Sequence, residues 1–218
     1  MRGSIFSSSR SRGEAVKASN TEGSHDQQCG SGAFNSVDAS DQTFVILHCR
    51  RYGTINRALV EGAIRALTSC MVPPERIHII EVPTPSDLPF AASKSIKVLN
   101  PSAVLAIGCI MADNPQYVGP DNEFNAACKG AILGAITKSL LDIQINTDVP
   151  IVDGILSVPR LCQAQARCGL TEHINYGYDW GLSAAHVANL TSTISMKAAA
   201  SKRIDSPESS STVSFKSG

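Results

Sequence analysis

Aromatic side chains are scarce in this 218-residue chain, at 5% with a single Trp, and neither sign of charge is in excess. Nineteen Lys and Arg balance nineteen Asp and Glu, so net charge gives no reason to expect nucleic acid or an anionic membrane surface as partner. Long apolar runs are also missing. The longest, FVIL from Phe44 and AVLAIG from Ala103, fall far short of the roughly 20 residues that a membrane span needs. No Cys-x-x-Cys pair occurs among the seven cysteines (29, 49, 70, 109, 128, 162 and 168), and an odd number cannot all pair within one chain. Most lie inside apolar runs, where a thiol packs as a small hydrophobe. That favours a reducing compartment over a disulfide scaffold and argues against zinc.

What remains is ample apolar material, 43% of residues, enough for one core. The first 42 residues hold ten serines and almost no apolar periodicity, so they bury too little to offset ordering entropy and read as a disordered extension. Their opening, MRGSIFSSSRSR, is Arg- and Ser-rich and acid-free, as mitochondrial transit peptides are, but meets Glu14 soon afterwards. The expectation is a flexible tail on a cytoplasmic protein, with a mitochondrial address as the alternative. Residues 196–218 turn serine-rich again and read as a second disordered tail, which leaves residues 43–195 as the folded domain.

Inside that domain, short apolar runs alternate with helical patterns. TFVILHC (43–49), IHIIEV (77–82), AVLAIGCIM (103–111) and VPIVDGIL (149–156) read as buried strands. Helices are expected over Ile55 to Leu67, after Pro89, from about Asn122 to Leu141, briefly after the fourth strand, and from about Trp180 to Ile194. Strands alternating with helices imply a mostly parallel sheet covered on both faces, because parallel strands need crossovers. Ligands on such sheets bind beyond the carboxyl ends of the strands. Those ends are HCRRYG, VPTPSDLP, GCIMADNPQY and DGILSVP.

In order and spacing, HCRRYGTINRALVEGA, VPTPSDLP, AIGCIM, CKGAILG, VPIVDGILS, QAQARCGL and NYGYDWG make the chain resemble the lumazine synthase family, and the fungal type most. The resemblance spans nearly all of Thr43 to Ser195. It implies a flavodoxin-like three-layer α/β/α sandwich with a four-stranded parallel sheet. It also implies a cofactor-free condensation of 5-amino-6-(ribitylamino)uracil with 3,4-dihydroxy-2-butanone 4-phosphate in riboflavin biosynthesis. The partners it implies are small-molecule substrates and other copies of the chain, as a homopentamer or a larger shell with the site between neighbouring subunits.

Carried over position by position, the family's site is largely exchanged. The stacking aromatic after the first strand falls on Arg51, whose planar guanidinium can still stack, with Tyr52 as the alternative platform. The Gly-Ala/Ser-Phe-Glu segment falls on Thr84, Pro85, Ser86 and Asp87, and keeps only a carboxylate, one methylene shorter. Cys109, Ile110 and Met111 end the third strand as further binding positions. Where the family reads Arg-Gly-x-Thr-x-His, this chain has Ala112, Asp113, Asn114, Pro115, Gln116 and Tyr117. Tyr117 thus takes the catalytic histidine's place. A phenol ionises near about 10 against about 6.5 for imidazole, so Tyr117 is a poor proton acceptor at neutral pH. Pro115 removes an N–H from the phosphate-binding turn, and Asp113 adds negative charge there. Asp153 replaces an aromatic of the fourth strand, whereas Arg167 matches a phosphate-binding arginine. His48 and His173 are the candidate substitutes for the missing imidazole. Three functions follow: retained lumazine formation, an enzyme repurposed for another carbonyl or amine, or a noncatalytic assembly or ligand-binding protein.

Overall fold

The computed structural model describes residues 36–111 and 122–204, all within one compact unit. In chain order the elements are β1 (Phe44–Cys49), α1 (Gly53–Ser69), β2 (Ile77–Val82), α2 (Leu88–Leu99), β3 (Ala103–Met111), α3 (Asn122–Thr147), β4 (Ile151–Val158), α4 (Leu161–Arg167) and α5 (Tyr176–Ile204). The sheet runs β2-β1-β3-β4 with every pair parallel. This is the expected α/β/α sandwich. From β1 the chain steps to β2 on one side and then to β3 on the other, which opens a crevice at the carboxyl ends of β1 and β3.

Near-continuous apolar strands are what burial on both faces requires. Phe44, Ile46, Leu105, Ile107, Leu156 and Val158 pack under α1 and α5, while Val45, Leu47, Val82, Val104, Ala106 and Ile151 pack under α2 and α3. Each large side chain so buried contributes about 1.5–3 kcal/mol. On the first face, glycines set the helix spacing. A Cβ on Gly177 would stand 1.9 Å from the Leu59 carbonyl oxygen, and one on Gly181 would meet Ala63 and Ala66 at 2.7 Å. At these two positions only backbone fits between α5 and α1.

Several boundaries differ from those read off the sequence. Helix α3 continues past Leu141 to Thr147, because nothing breaks its hydrogen bonding until Asp148 adopts a left-handed φ of 55°. Strand β4 starts two residues later than expected and runs to Val158, in register with Met111. Pro150 lies before it and accepts from the Val104 N–H. Helix α5 begins at Tyr176, where the Asn175 side chain accepts from the Gly177 N–H, and it continues through the tail boundary at residue 196 to Ile204. At the other end, the part of the N-terminal extension that is described folds back. Ala39 is fully buried with its N–H on the Cys70 carbonyl, and Asn189 donates to the Asp38 carbonyl. The extension's apolar Ala39 and Val37 find a core that sequence periodicity does not reveal. Among the described residues, no helix is long and apolar enough to cross a membrane.

Candidate functional site

A cleft of about 280 Å³ opens at the carboxyl ends of β1, β2 and β3, close to the lower end of the roughly 300–1,000 Å³ usual for small-molecule sites. Its walls are Arg51 and Tyr52 from the β1–α1 turn, Thr84, Pro85 and Ser86 after β2, Cys109, Ile110 and Met111 from β3, and Lys129 and Ile132 from α3.

The first wall is fixed by main-chain geometry. Tyr52 caps α1 with φ 58° and ψ 43°, a left-handed conformation that costs a non-glycine residue on the order of 1 kcal/mol or more. Asn56, fully buried one turn into α1, holds this turn: its Nδ2 donates to the carbonyls of Cys49 at 2.8 Å and Arg51 at 2.7 Å. The Arg50 N–H reaches the Val82 carbonyl at 2.8 Å, continuing the β1–β2 ladder to the cleft. These bonds leave Arg51 exposed with its guanidinium carbon 5.5 Å from the centroid of the Tyr52 ring. The two residues expected as alternative platforms therefore stand together, as one cation–π pair.

The second wall is a tight 3-10 turn over Pro85–Asp87. Thr84 donates to Asp87 Oδ2 through its N–H at 2.9 Å and through its hydroxyl at 2.8 Å, while the Asp87 N–H returns to the Thr84 carbonyl. This is a capping box with an aspartate in the place of the usual glutamate. It explains why Asp87, expected to bind substrate, does not line the cleft: its oxygen serves the turn. Pro85 and Ser86 do line it.

The floor is apolar. Cys109 is 1% exposed and Met111 5%. Burial pushes the Cys49 and Cys109 thiols up to about 12; the Asp87 charge adds to the effect at Cys49, and Cys168 to that at Cys109. Both are poor nucleophiles at neutral pH.

Asp153 and Arg167 lie outside this cleft. Asp153 pairs with Ala106, three residues and about 10 Å before Cys109 along the sheet, because β4 extends two residues beyond the expected end. Its carboxylate accepts from the Thr137 hydroxyl at 2.6 Å and from the Ile155 N–H at 3.1 Å. Arg167 ends α4 with its guanidinium carbon 5.8 Å from the Tyr176 ring centroid. Tyr117, Asn114 and Pro115 lie outside the described residues. Neither substitute histidine lines the cleft. His173 is exposed between α4 and α5. His48 pairs with Glu81 across the β1–β2 ladder, and burial lowers its pKa despite the opposing pull of Glu81.

Lys129 and Ile132 are the wall residues that sequence reading missed as site residues. They sit three residues apart on one face of α3, within the segment CKGAILG. Helical spacing was the available signal, but it does not say which face of α3 meets the cleft.

Comparison with known proteins agrees with this architecture. The profile of the 6,7-dimethyl-8-ribityllumazine synthase family matches residues 41–192. A protein of that name from Xanthomonas campestris pv. campestris (strain B100) is 29% identical over 147 residues, covering 67% of this chain and 88% of the relative. Another from Flavobacterium johnsoniae is 28% identical over 151 residues, 69% of this chain and 73% of the relative. One from Xylella fastidiosa (strain M12) is 26% identical over 147 residues. With the fold, the strand-end cleft and a profile match that spans every strand, the chain belongs to the 6,7-dimethyl-8-ribityllumazine synthase family.

Proposed function

We propose that the cleft receives the flat pyrimidine ring of 5-amino-6-(ribitylamino)uracil and that the protein condenses it with 3,4-dihydroxy-2-butanone 4-phosphate to form the lumazine, without a cofactor. The observation that carries this reading is that the first three strand ends converge on one small cleft of the size of a flat heterocycle, with the Arg51–Tyr52 pair on one wall and the Ser86 turn on another. Holding two reactants in contact supplies much of the acceleration of a condensation between reactive partners, so the loss of one proton carrier slows it without abolishing it. By resemblance in sequence Tyr117 falls at that carrier's position, and Asp87 supports the turn. Assembly as a homopentamer or larger shell belongs to the same reading. Phe90, Val98 and Ile145, 69–76% exposed on α2 and α3, are apolar surface for neighbouring copies to cover, and Asp153 and Arg167 would complete a neighbour's cleft.

The test is product formation from the two substrates, followed by lumazine fluorescence at high protein concentration and confirmed by mass. Turnover above the spontaneous rate supports the reading, and Y117H should raise it. No product from a folded oligomer would refute it. The second reading, a ligand-binding member without this chemistry, is favoured by one observation: the Asp87 carboxylate is engaged by Thr84 within the turn rather than presented to a ligand.

A further inference from the structure

We propose that Tyr176 is the positioning residue that holds the Arg167 guanidinium in place for the phosphate of the four-carbon substrate; this rests on the reading that Arg167 completes a neighbour's cleft. Arg167 is the last residue of α4 and Tyr176 the first of α5, and the backbone between them brings the two side chains together. Cys168 and Asn175 form an antiparallel bridge, so the residues just outside it, Arg167 and Tyr176, stand across from one another. The turn that the bridge closes opens on Gly169 at φ 81°. Asn175 locks it. Its Nδ2 donates to the Cys168 carbonyl and to the Ala58 carbonyl of α1, both at 2.9 Å, while its Oδ1 accepts from the Gly177 N–H at 2.9 Å. Gly62 leaves the room for that amide, since a Cβ there would stand 2.3 Å from Asn175 Oδ1. The end of α4 is thus anchored through buried Cys168, while Arg167 itself is half-buried.

The ring that meets Arg167 is itself held. Tyr176 meets the Trp180 ring edge-on, with 6.2 Å between centroids and 76° between planes, and Trp180 packs so closely on β4 that a Cβ at Gly154 would lie 2.9 Å from its Cε3. A packed row therefore runs from β4 through Trp180 and Tyr176 to the Arg167 guanidinium, whose carbon is 5.8 Å from the Tyr176 centroid. Such a contact restricts the guanidinium without neutralising it. The charge is kept for phosphate oxygens, and less side-chain freedom is lost when they bind.

Steady-state condensation by the full chain, with each substrate varied in turn, tests this. R167Q should raise the KM for 3,4-dihydroxy-2-butanone 4-phosphate about tenfold, the scale of one charge contact at a partly shielded site, and leave that for 5-amino-6-(ribitylamino)uracil within about twofold. Y176L, with Arg167 intact, should raise the same phosphate-substrate KM about two- to fivefold, the scale of one cation–π contact. Y176F keeps the ring and should stay within about twofold of wild type. In the R167Q background Y176L should add nothing, because its effect passes through that guanidinium. A purely structural role would instead move both KM values or kcat, and would do so with or without Arg167. Circular dichroism and sedimentation establish that each variant folds and assembles; Y176M, which fills similar space without a ring face, replaces Y176L should the latter not fold. An unchanged phosphate-substrate KM in the folded variant, or an effect undiminished beside R167Q, would overturn the proposal and leave the reading beneath it intact. R167Q without effect would overturn it too, by removing Arg167 from the site while the condensation stands. No turnover by the wild type would remove the proposal and the reading together.

Discussion

G177A should destabilise the protein and weaken ligand binding at a cleft that Gly177 does not touch. The added methyl would lie 1.9 Å from the Leu59 carbonyl oxygen and 2.6 Å from its carbon. Carbon and oxygen approach no closer than about 3.3 Å, so the contact is some 1.4 Å too short. Both obstacles are backbone, and no rotamer relieves them. Helices α5 and α1 must part, at an overpacking cost of about 1–3 kcal/mol, with this contact at the upper end. Alanine's better helix propensity returns at most about 1 kcal/mol. A net loss of about 2 kcal/mol corresponds to a Tm lower by roughly 4–8 °C. Displacing α1 also moves Tyr52, its N-terminal cap, so ligand affinity falls as well. G134A on α3 is the control: nothing lies within 4 Å of that Cβ, so the same chemical change should gain up to about 1 kcal/mol. Urea unfolding followed by circular dichroism measures both, with an unchanged slope as the condition for comparing midpoints. A G177A protein as stable as wild type would show that the α1–α5 spacing is not set by this contact.

Other perturbations report on other parts of the same frame. N56A removes both side-chain bonds that hold the Cys49 and Arg51 carbonyls, and should cost about 2–3 kcal/mol, measured by the same unfolding midpoints, with loss of ring binding. Burial depresses the His48 pKa, so the folded state binds fewer protons than the unfolded one. The stability this gives is complete above the unfolded value of 6.5 and is lost as pH falls from there through the folded value. H48Q should therefore flatten the decline in unfolding free energy below pH 6.5, and an unchanged profile would assign that decline to other groups. Iodoacetamide should label Cys128 and Cys162, both exposed, well before Cys49, Cys70, Cys109 and Cys168, with peptide mass spectrometry as the readout. Early labelling of Cys109 would show that the cleft floor opens.

Strand β3 was legible because a parallel strand buried on both faces is an uninterrupted apolar run, and it falls on AVLAIGCIM as expected; β2, a half-buried edge strand, falls on IHIIEV between the turns at Pro74 and Pro83. Helix ends were less so. The N-terminus of α5 is set by Asn175, whose side chain bonds the distant Ala58 carbonyl as well as Cys168 and Gly177, and local pattern does not report such a tertiary cap. The same division holds at the cleft. Arg51, Tyr52, Pro85, Ser86, Cys109, Ile110 and Met111 belong to strand ends, where topology alone brings them together. Lys129 and Ile132 depend on how α3 is rotated over the sheet. With Ile132, Leu141 and Ile145 exposed and Ile136 and Leu140 buried, apolar residues surround that helix, and the sequence offers no single face to read. Asp87 shows a different ambiguity: a carboxylate three residues after Thr84 can serve as a cap or as a ligand contact, and the coordinates show the cap.

The cleft's frame and its chemistry reside in different atoms, and this is why one can change without the other. The Asn56 clamp acts on carbonyl oxygens, the ladder to Val82 uses the Arg50 N–H, and the Thr84–Asp87 box closes on the N–H and hydroxyl of its own turn. None of these bonds uses the side chain of Arg51 or Ser86. The Arg51 side chain is therefore not part of this frame, and residue 51 can change at little cost to the fold. A consequence can be measured. R51W should leave the unfolding free energy within about 0.5 kcal/mol of wild type, because the site is exposed and its backbone is held by Asn56. It should at the same time bind a neutral flat ring more tightly, since it exchanges a guanidinium for a larger stacking face. Should R51W instead unfold the protein, the Arg51–Tyr52 pair would be part of the frame, and the separation of scaffold from chemistry at this cleft would fail.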